Sequence, residues 1–286
     1  MLKLGLIGEH ITKSLTQTFF HDLSKSYNIE LSYELFDMYD QNMSFEDKLN
    51  YLSKKKYKGL NITYPFKEEV FQFVDNKSEE VNFVGSVNTI TIDNTVSAFN
   101  TDYLGFSHII KSHKIKKNIN VLIIGSGGVG RSVASACGKN LNSNIYLYDI
   151  NLLKSKKLNH DLKKNKIKSF VLNENNLIEQ FNNIDLVCNC STYGHYNNPG
   201  NPLNDIKNFK EDVIFFDAIY TPLDTKFLSQ AKRQKYKTIS GLELFIYQGI
   251  ESFLIFTKRY ELREKLMISS GQFISKYQNL FKENLS

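Results

Sequence analysis

Cysteine and long apolar segments are scarce in this chain. The three cysteines among its 286 residues (Cys137, Cys188 and Cys190) have no metal-ligand spacing, which excludes a disulfide framework and a thiolate metal site. No apolar run is long enough to span a bilayer, and residues 1–8 are typical of a strand rather than of a charged leader. The sequence therefore predicts a cytoplasmic protein with no bound metal and no membrane partner.

Positive charge is modest and dispersed. The net charge of +6 comes from lysine-rich runs at residues 54–56, 114–117 and 163–168, and these runs lack interleaved aromatic side chains. That pattern favours a solvated surface over a nucleic-acid site, although a mild positive field suits small anionic ligands. With 41% hydrophobic and 23% charged residues, the chain is typical of globular proteins and is long enough for two domains.

The strongest local pattern is a glycine-rich unit between two predicted strands. Residues 120–125 form a short apolar run, Gly125, Gly127 and Gly130 follow as Gly-x-Gly-x-x-Gly, and residues 131–139 have helical spacing. A second strand, 144–149, ends in Asp149, near the interval of about 20 residues expected for a ribose-binding acid. We interpret the unit as a dinucleotide site, in preference to a tight turn without a ligand. Its members are Gly125, Ser126, Gly127, Gly128, Val129 and Gly130.

Strands and helices alternate through the chain, which predicts two α/β domains. The first has a mostly parallel sheet with a hairpin across residues 93–94, and the second is Rossmann-like. Residues 242–286 are purely helical, need a partner surface and are expected to return to the first domain. We therefore expect one domain over residues 1–103, completed by residues 242–286, and a dinucleotide domain over residues 104–241.

Several polar groups lie at predicted strand ends, where an α/β sheet binds ligands. Ser14 and Thr16 can both donate to one carboxylate, or one of them can cap the following helix. The strand before Thr63 delivers it to such an end, Pro65 is expected to open a helix, and Lys67 falls in the first turn of that helix. A lysine there opposes the helix dipole, as functional residues can do, but a solvated lysine is the alternative. Asp102 can likewise act at a site or cap its helix.

These segments make the sequence resemble the shikimate dehydrogenases, including their quinate/shikimate relatives. The resemblance covers nearly the whole length and rests on eight motifs in the family's order. They are residues 14–16 (SLT), 59–67 (GLNITYPFK), 86–89 (SVNT), 100–102 (NTD), 125–130 (GSGGVG), 189–194 (NCSTYG), 217–225 (DAIYTPLDT) and 241–249 (GLELFIYQG).

The resemblance implies a two-domain enzyme with a cleft between the substrate domain and the nucleotide domain. It implies that Ser14 and Thr16 hold a substrate carboxylate, and that Lys67 and Asp102 are the catalytic pair. The groups implied to contact or border the ring hydroxyls are Thr63, Asn88, Asp102, Tyr220 and Gln248. Those implied to line the nicotinamide end are residues 189–192 with Ser191, Ala218 and Gly241.

Two departures from the family pattern bear on specificity. Thr16 stands where the family often has Ser, which keeps the hydroxyl and adds a methyl group; Gln17 and Phe20 replace a frequent Pro and His. At the cofactor end, Asp149 begins a segment that is Asn-Arg-Thr-like in NADP-dependent members. A carboxylate there can accept from a ribose hydroxyl but repels a 2′-phosphate, so we expect NAD, with NADP as the alternative.

The expected activity is reversible nicotinamide-dependent reduction of 3-dehydroshikimate to shikimate, in the family's role of aromatic amino-acid biosynthesis. A catabolic NAD-dependent quinate/shikimate dehydrogenase is the nearest alternative. The Ser14–Thr16 pair argues against a methylenetetrahydrofolate dehydrogenase, and the retention of Lys67 and Asp102 argues against a non-catalytic nucleotide sensor. The expected partners are the carboxylate substrate and at most a second copy of the chain, as a monomer or homodimer.

Overall fold

A computed structural model describes residues 1–203 and 206–283. The chain divides into two compact units, one comprising Met1–Thr101 with Gln248–Met267 and the other Asp102–Tyr247 with the chain from Ile268 onward. The division therefore assigns the last helix partly to each unit. The domain boundaries expected from the sequence stay a prediction, and each unit is described by itself below.

The first unit contains a six-stranded sheet in the order β2-β1-β3-β5-β6-β4. Its strands β1 and β2 are parallel, as are β1 and β3, whereas β5 pairs antiparallel with β3 and β6. The predicted hairpin is confirmed, with β5 and β6 as its arms. The strands are β1 (Leu2–Gly8), β2 (Leu31–Asp37), β3 (Gly59–Ile62), β4 (Asn76–Lys77), β5 (Thr89–Ile92) and β6 (Val96–Phe99).

Among the helices of the first unit, α2 (Phe45–Lys54) combines apolar residues at helical spacing with a polar residue that caps its start. In α2, Ser44 Oγ accepts from the backbone N–H of Asp47, and Phe45, Leu49 and Leu52 are buried. The other helices of this part of the chain are α1 (Thr16–Tyr27), α3 (Glu79–Val84) and a 3₁₀ helix (Glu69–Phe73).

The prediction that a helix begins at Pro65 is wrong. Residues 64–68 form turns, and the 3₁₀ helix starts only at Glu69. Lys67 therefore lies in the turn that precedes this helix, not in a helix. Backbone bonds to distant segments hold this stretch, because Glu9 N–H donates to Tyr64 O at 3.0 Å and Val87 N–H donates to Lys67 O at 2.9 Å. These long-range bonds override the local preference for a helix after proline.

The second unit contains a six-stranded sheet whose described pairings are all parallel, in the order β12-β11-β10-β7-β8-β9. This confirms the predicted Rossmann-like arrangement. Its strands are β7 (Asn120–Ile124), β8 (Asn144–Tyr148), β9 (Ser169–Val171), β10 (Leu186–Asn189), β11 (Ile214–Asp217) and β12 (Lys237–Ser240). Strands β7, β10 and β11 are buried on both faces, as central parallel strands require.

Helices connect these strands and complete both units. Those of the middle region are α4 (Thr101–Ser112), α5 (Gly128–Leu141), α6 (Leu152–Lys164), α7 (Glu174–Leu177) and α8 (Lys226–Arg233). The expected terminal helices appear as α9 (Gly241–Thr257) and α10 (Arg263–Glu283). Across the described residues, no helix combines the length and apolar character needed to cross a membrane.

Candidate active site

The hydroxyls of Ser14 and Thr16 lie side by side at the start of α1. Their oxygens are 2.8 Å apart, and Thr16 N–H also donates to Ser14 Oγ at 3.3 Å. Neither residue is the helix N-cap, because that position is Leu15, which provides no side-chain cap. Thr16 is buried and Ser14 half-buried. The pair therefore offers two adjacent donors that a single carboxylate can use in place of their mutual bond.

Thr63 and Lys67 belong to the turn that follows β3. Thr63 N–H donates to Ile7 O of β1 at 2.9 Å, and its carbonyl accepts from Phe66 N–H at 3.0 Å. Both side chains are half-buried. Backbone bonds at Tyr64 and Lys67 tie the turn to the loop after β1 and to the segment before β5, so the Lys67 side chain leaves from a fixed backbone.

Asn88 is almost fully buried, and one side of its amide is engaged by the protein. Its Oδ1 accepts from the backbone N–H of Thr101 at 2.7 Å and from the hydroxyls of Thr101 and Thr89. Its Nδ2 has no hydrogen-bond partner within residues 1–203 and 206–283. Thr101 Oγ1 also lies 3.4 Å from Gln248 Oε1 and donates to it. The structure thus brings together two predicted substrate residues around Thr101.

A second layer of buried polar side chains supports Asn88 and was missed by the sequence analysis. Asn61 Nδ2 donates to Thr89 Oγ1 at 3.0 Å and to Ser252 Oγ at 2.9 Å, and its Oδ1 accepts from Tyr33 Oη at 2.8 Å. Ser252 lies 3.1 Å from Thr101 Oγ1. The only signal in the sequence was the polar character of Asn61 inside a short apolar strand.

The glycines of the predicted dinucleotide loop serve three separate geometric needs. Gly125 has a positive φ of 93°, and a Cβ there would lie 2.7 Å from Ser191 N. A Cβ on Gly130 would lie 2.0 Å from Gly125 O, so helix α5 approaches the strand closely only because of glycine. A Cβ on Gly127 would meet no atom within 4 Å. A tight turn, an open backbone and a close helix are the three features of a pyrophosphate loop.

Helix α5 begins within the loop at Gly128, with Gly127 as an N-cap that has no side-chain cap bond. No side chain of the N-cap residue covers this end of the helix, and the positive end of the helix dipole favours an anion there. Ser126 is buried, and its backbone N–H is held by Asp149. The loop fits the diphosphate of a nicotinamide dinucleotide.

Asp149 directly follows β8, and its two carboxylate oxygens each accept one backbone bond. Ser126 N–H donates to Oδ2 at 2.7 Å, and Asn151 N–H donates to Oδ1 at 2.8 Å. The carboxylate therefore stays beside the glycine loop. Each oxygen keeps a second lone pair for a further donor.

Arg131, which follows the glycine loop, is committed to another partner. Its guanidinium is buried and lies 2.5 Å from the Asp161 carboxylate of α6. Lys154, by contrast, is exposed in α6. Of these two cations, Lys154 is the one whose side chain can reorient at little cost.

Asn189 organises the loop at the carboxyl end of β10. Its Oδ1 accepts from the N–H of Ser191 at 3.1 Å and from the Ser191 hydroxyl at 2.7 Å. Its Nδ2 donates to Tyr193 O and to Asp217 Oδ1 at 2.9 Å. Asn189 and Asp217 are fully buried. This arrangement fixes the predicted nicotinamide residue Ser191 with respect to β11.

Asp217 is the acceptor at the centre of a second missed network. Thr225 Oγ1 donates to its Oδ2 at 2.6 Å, and Ile219 N–H donates to its Oδ1 at 3.0 Å. Burial raises the pKa of Asp217 to about 7, although the bonds from Thr225, Ile219 and Asn189 lower it. Ala218 N–H donates to Asn189 O, so the strand ends are tied by backbone bonds as well.

Two further candidate site residues of the second unit, Gly241 and Tyr220, are held by packing. Gly241 packs against the strand end, since a Cβ there would lie 2.4 Å from Ala218 O. Tyr220 packs between the rings of Phe245 and Phe281, with centroids 5.1 and 5.4 Å away. Burial, together with the negative charge of Asp102, raises the pKa of Tyr220 to about 12.

Asp102 is buried in the first turn of α4. Cys137 and Cys188 are buried free thiols, and Cys190 is a half-buried one. Over the described ranges, no group of three or more His, Cys, Asp or Glu side chains could hold a metal ion.

Comparison with known families supports this assembly of residues. Residues 6–90 match the family described as "Shikimate dehydrogenase substrate binding domain", and residues 98–194 match "Alanine dehydrogenase/PNT, C-terminal domain". The first match contains the Ser14, Lys67 and Asn88 motifs, and the second contains the glycine loop. Two separate segments of the chain are thus matched independently.

Individual relatives extend the match over most of the chain. A Methanococcus aeolicus protein named shikimate dehydrogenase (NADP(+)) is 34% identical over 261 residues, which are 89% of this chain and 91% of that protein. The solved quinate dehydrogenase from Corynebacterium glutamicum in complex with NAD has a TM-score of 0.82 at 25% identity, covering 90% and 94%. The shikimate 5-dehydrogenase from Thermus thermophilus in complex with NADP(H) and shikimate has a TM-score of 0.76 at 25% identity, with the same coverage. The chain belongs to the shikimate dehydrogenase family of nicotinamide-dependent oxidoreductases, which act on a CH–OH group.

Proposed function

We propose that this chain catalyses the reversible reduction of 3-dehydroshikimate to shikimate, a step of aromatic biosynthesis. The observation that carries the proposal is the hydroxyl pair of Ser14 and Thr16, whose oxygens are 2.8 Å apart on the substrate-domain side of the family match. Two adjacent hydroxyls suit the two oxygens of a carboxylate. Charge-assisted hydrogen bonds of this kind are among the stronger ones in proteins.

Lys67 is the proposed acid and base. In ketone reduction its ammonium gives a proton to the oxygen that becomes the shikimate hydroxyl, and in alcohol oxidation its neutral amine takes that proton back. The bond from Val87 N–H to Lys67 O holds the backbone from which the side chain leaves. The nicotinamide supplies or accepts the hydride, and the protein orients the substrate and moves the proton.

Asn88, Asp102, Thr63, Tyr220 and Gln248 are proposed to bind or border ring hydroxyls. Asn88 supports this assignment best, because its Oδ1 is engaged by Thr101 while its Nδ2 has no hydrogen-bond partner in the described chain. A nearly buried donor of this kind suits a hydroxyl oxygen of the substrate. The family resemblance assigns Ser191, Ala218 and Gly241 to the nicotinamide end, and the geometry of the glycine loop supports its assignment to the diphosphate.

NAD is the proposed preferred cofactor, although relatives named for NADP are known. The support is Asp149, which bonds to Ser126 of the glycine loop and so keeps a negative charge where an adenosine ribose is expected. A ribose hydroxyl can donate to the carboxylate, whereas a 2′-phosphate would be repelled. The pairing of Arg131 with Asp161 removes one candidate for compensating that phosphate.

Quinate oxidation with NAD is the second candidate. It is favoured by the similarity to the C. glutamicum quinate dehydrogenase, which was solved with NAD, and by Thr16 in place of the family's frequent Ser. The extra methyl group of Thr16 borders the carboxylate position, where shikimate is unsaturated and quinate carries an additional hydroxyl. The two substrates therefore differ where this chain departs from the family.

Initial rates for shikimate and quinate, each with NAD and with NADP, test the proposal. We expect the highest kcat/KM for shikimate with NAD. Faster turnover of quinate than of shikimate would replace the first candidate by the second, and no turnover of either by a folded protein would refute both. Faster turnover with NADP at equal low concentrations would refute the cofactor preference alone.

A further inference from the structure

Asp37, at the carboxyl end of β2, joins two loops through its carboxylate. Its Oδ1 accepts from His10 N–H at 3.0 Å and its Oδ2 accepts from Ile11 N–H at 2.9 Å, and both donors belong to the loop after β1. Oδ1 also accepts from Tyr39 N–H at 3.0 Å, in the loop after β2. A carboxylate that accepts three backbone bonds fixes both loops to one point.

The first of these loops, residues 9–15, carries Ser14 and is called the Ser14 loop here. A chain of hydrogen bonds connects Asp37 to the hydroxyl pair, because Ser14 N–H donates to Ile11 O at 2.8 Å and Thr16 N–H donates to Ser14 Oγ. Ile11, which receives the Asp37 bond, is itself buried. Loss of the carboxylate would therefore release the segment from which Ser14 is presented.

Two further contacts connect the Ser14 loop to the rest of the first unit. Glu9 N–H donates to Tyr64 O at 3.0 Å, and the rings of His10 and Tyr39 lie 3.9 Å apart. His10 has a positive φ of 57°, a conformation that non-glycine residues seldom adopt without support. The Asp37 bond to the His10 N–H supplies such support.

We propose that Asp37 is a positioning residue that holds the Ser14 loop so that the two hydroxyls meet the substrate carboxylate. The proposal rests on the function proposed above, since it requires a substrate with a carboxylate at Ser14 and Thr16. Asp37 itself contacts no reacting atom. Its loss should therefore weaken binding of the acid substrate while leaving the nicotinamide side and the proton transfer intact.

Steady-state kinetics of Asp37→Ala provide the test. The variant should raise the KM for shikimate roughly tenfold, as expected from hydrogen bonds to a charged group, with kcat and the KM for nicotinamide unchanged within about twofold. Asp75→Ala is the matched control, because Asp75 is also a carboxylate that accepts a backbone bond between segments, from Val96 N–H at 2.8 Å. An equal KM rise in both variants, or a fall of kcat alone in Asp37→Ala, would overturn the proposal.

A double variant separates positioning from general loosening. If Asp37 acts through Ser14, adding Asp37→Ala to Ser14→Ala should raise the KM for shikimate less than twofold further, because the hydroxyl that the loop presents is already gone. A full additional tenfold rise would contradict the role. Asp37→Asn retains one oxygen acceptor, so it should give a smaller KM rise than Asp37→Ala, and an equal or larger one would count against the bonds.

Hydrogen–deuterium exchange without ligand tests, independently of any activity, whether Asp37 holds the Ser14 loop. Amides of residues 9–15 should exchange at least fivefold faster in Asp37→Ala than in the wild type, with no change at residues 9–15 in Asp75→Ala. Unchanged exchange would overturn the proposal even in an active enzyme. If the wild type turns over neither shikimate nor quinate, the proposed function fails while the exchange result still decides whether Asp37 holds the loop.

Discussion

Two candidate sites, the surroundings of Asn88 in the first unit and the glycine loop in the second, are built by different means. Around Asn88 in the first unit, buried side chains hold one another, and every bond in that network requires a particular hydroxyl or amide. At the glycine loop of the second unit, the backbone itself provides the site, through a positive φ, a close helix and an open Gly127. A side-chain network specifies one substrate shape, whereas a backbone loop accepts any diphosphate. The choice between NAD and NADP therefore depends on side chains at the loop's margin.

The largest expected effect concerns proton transfer on the substrate side. Lys67→Ala should lower kcat by about 10² to 10⁴ while the KM for shikimate changes little, because the side chain acts on a proton rather than on binding. Lys58→Ala is the control, since Lys58 is an exposed lysine that pairs with Asp93 in the same unit. Near-normal kcat in Lys67→Ala, measured by initial rates in both directions, would remove this residue from the mechanism.

In the second unit, the raised pKa of the Asp217 carboxyl group predicts that the stability of the protein depends on pH. Burial raises the pKa of Asp217 to about 7 from an ordinary 3.8. Between these values the folded state keeps a proton that the unfolded chain has lost, so the contribution of Asp217 to the unfolding free energy is full below about pH 4 and falls as pH rises to 7. The whole change corresponds to about 4 kcal/mol, at about 1.4 kcal/mol for each pH unit.

Asp217→Asn should remove that dependence. Urea unfolding of wild type and variant at pH 5 and pH 8 should show the variant gaining about 3 kcal/mol relative to the wild type at the higher pH. The asparagine oxygen can still accept from Ile219 N–H and Asn189 Nδ2, and the Thr225 hydroxyl can rotate to accept instead. A wild-type-minus-variant difference that is flat with pH would mean that Asp217 is ionised throughout this range.

The carboxylate contact of the first unit should give a smaller effect, confined to KM. Ser14→Ala and Thr16→Ala each remove one charge-assisted bond worth about 1.5 to 3 kcal/mol, so each should raise the KM for shikimate roughly 10- to 100-fold. Thr16→Ser keeps the hydroxyl and serves as the control, with KM near that of the wild type. If Thr16→Ser and Thr16→Ala behave alike, the methyl group rather than the hydroxyl matters at this position.

The same contrast between side chains and backbone explains what the sequence could predict. Strands β7 and β8 were predicted within a residue at each end, because apolar runs and glycines are local signals. The turn at Pro65 was predicted as a helix, since the bonds from Glu9 and Val87 that hold it come from distant segments. The bond from Asn61 to Ser252 spans 191 positions, and no local pattern contains it.

Most of the candidate site residues were assigned by the resemblance to the family rather than by local pattern. Ser14 and Lys67 are small parts of motifs, and each had an ordinary local explanation, capping for the first and solvation for the second. Asp149 was instead predicted from its spacing after the glycine loop. Asp37 and Asp217 belong to no pattern that periodicity detects, because their partners are backbone N–H groups of other loops. Both residues stand at the carboxyl end of a strand that is paired in parallel, a position that could have marked them as candidates.

The smallest expected effect is on the choice between NAD and NADP, which we propose to depend on the side chain of Asp149. Asp149→Ala should weaken NAD and improve NADP, so that the ratio of their kcat/KM values falls about tenfold, while the KM for shikimate stays unchanged. The loss of the bond from Ser126 N–H to Oδ2 could also loosen the glycine loop, which would weaken both cofactors alike. Asp149→Asn separates these effects, because its amide oxygen can keep the Ser126 bond while the charge is gone. A ratio that falls in both variants assigns the preference to charge.

If the wild type prefers NADP and Lys154→Ala abolishes that preference, the exposed lysine holds the 2′-phosphate and the Asp149 carboxylate serves only to hold the glycine loop.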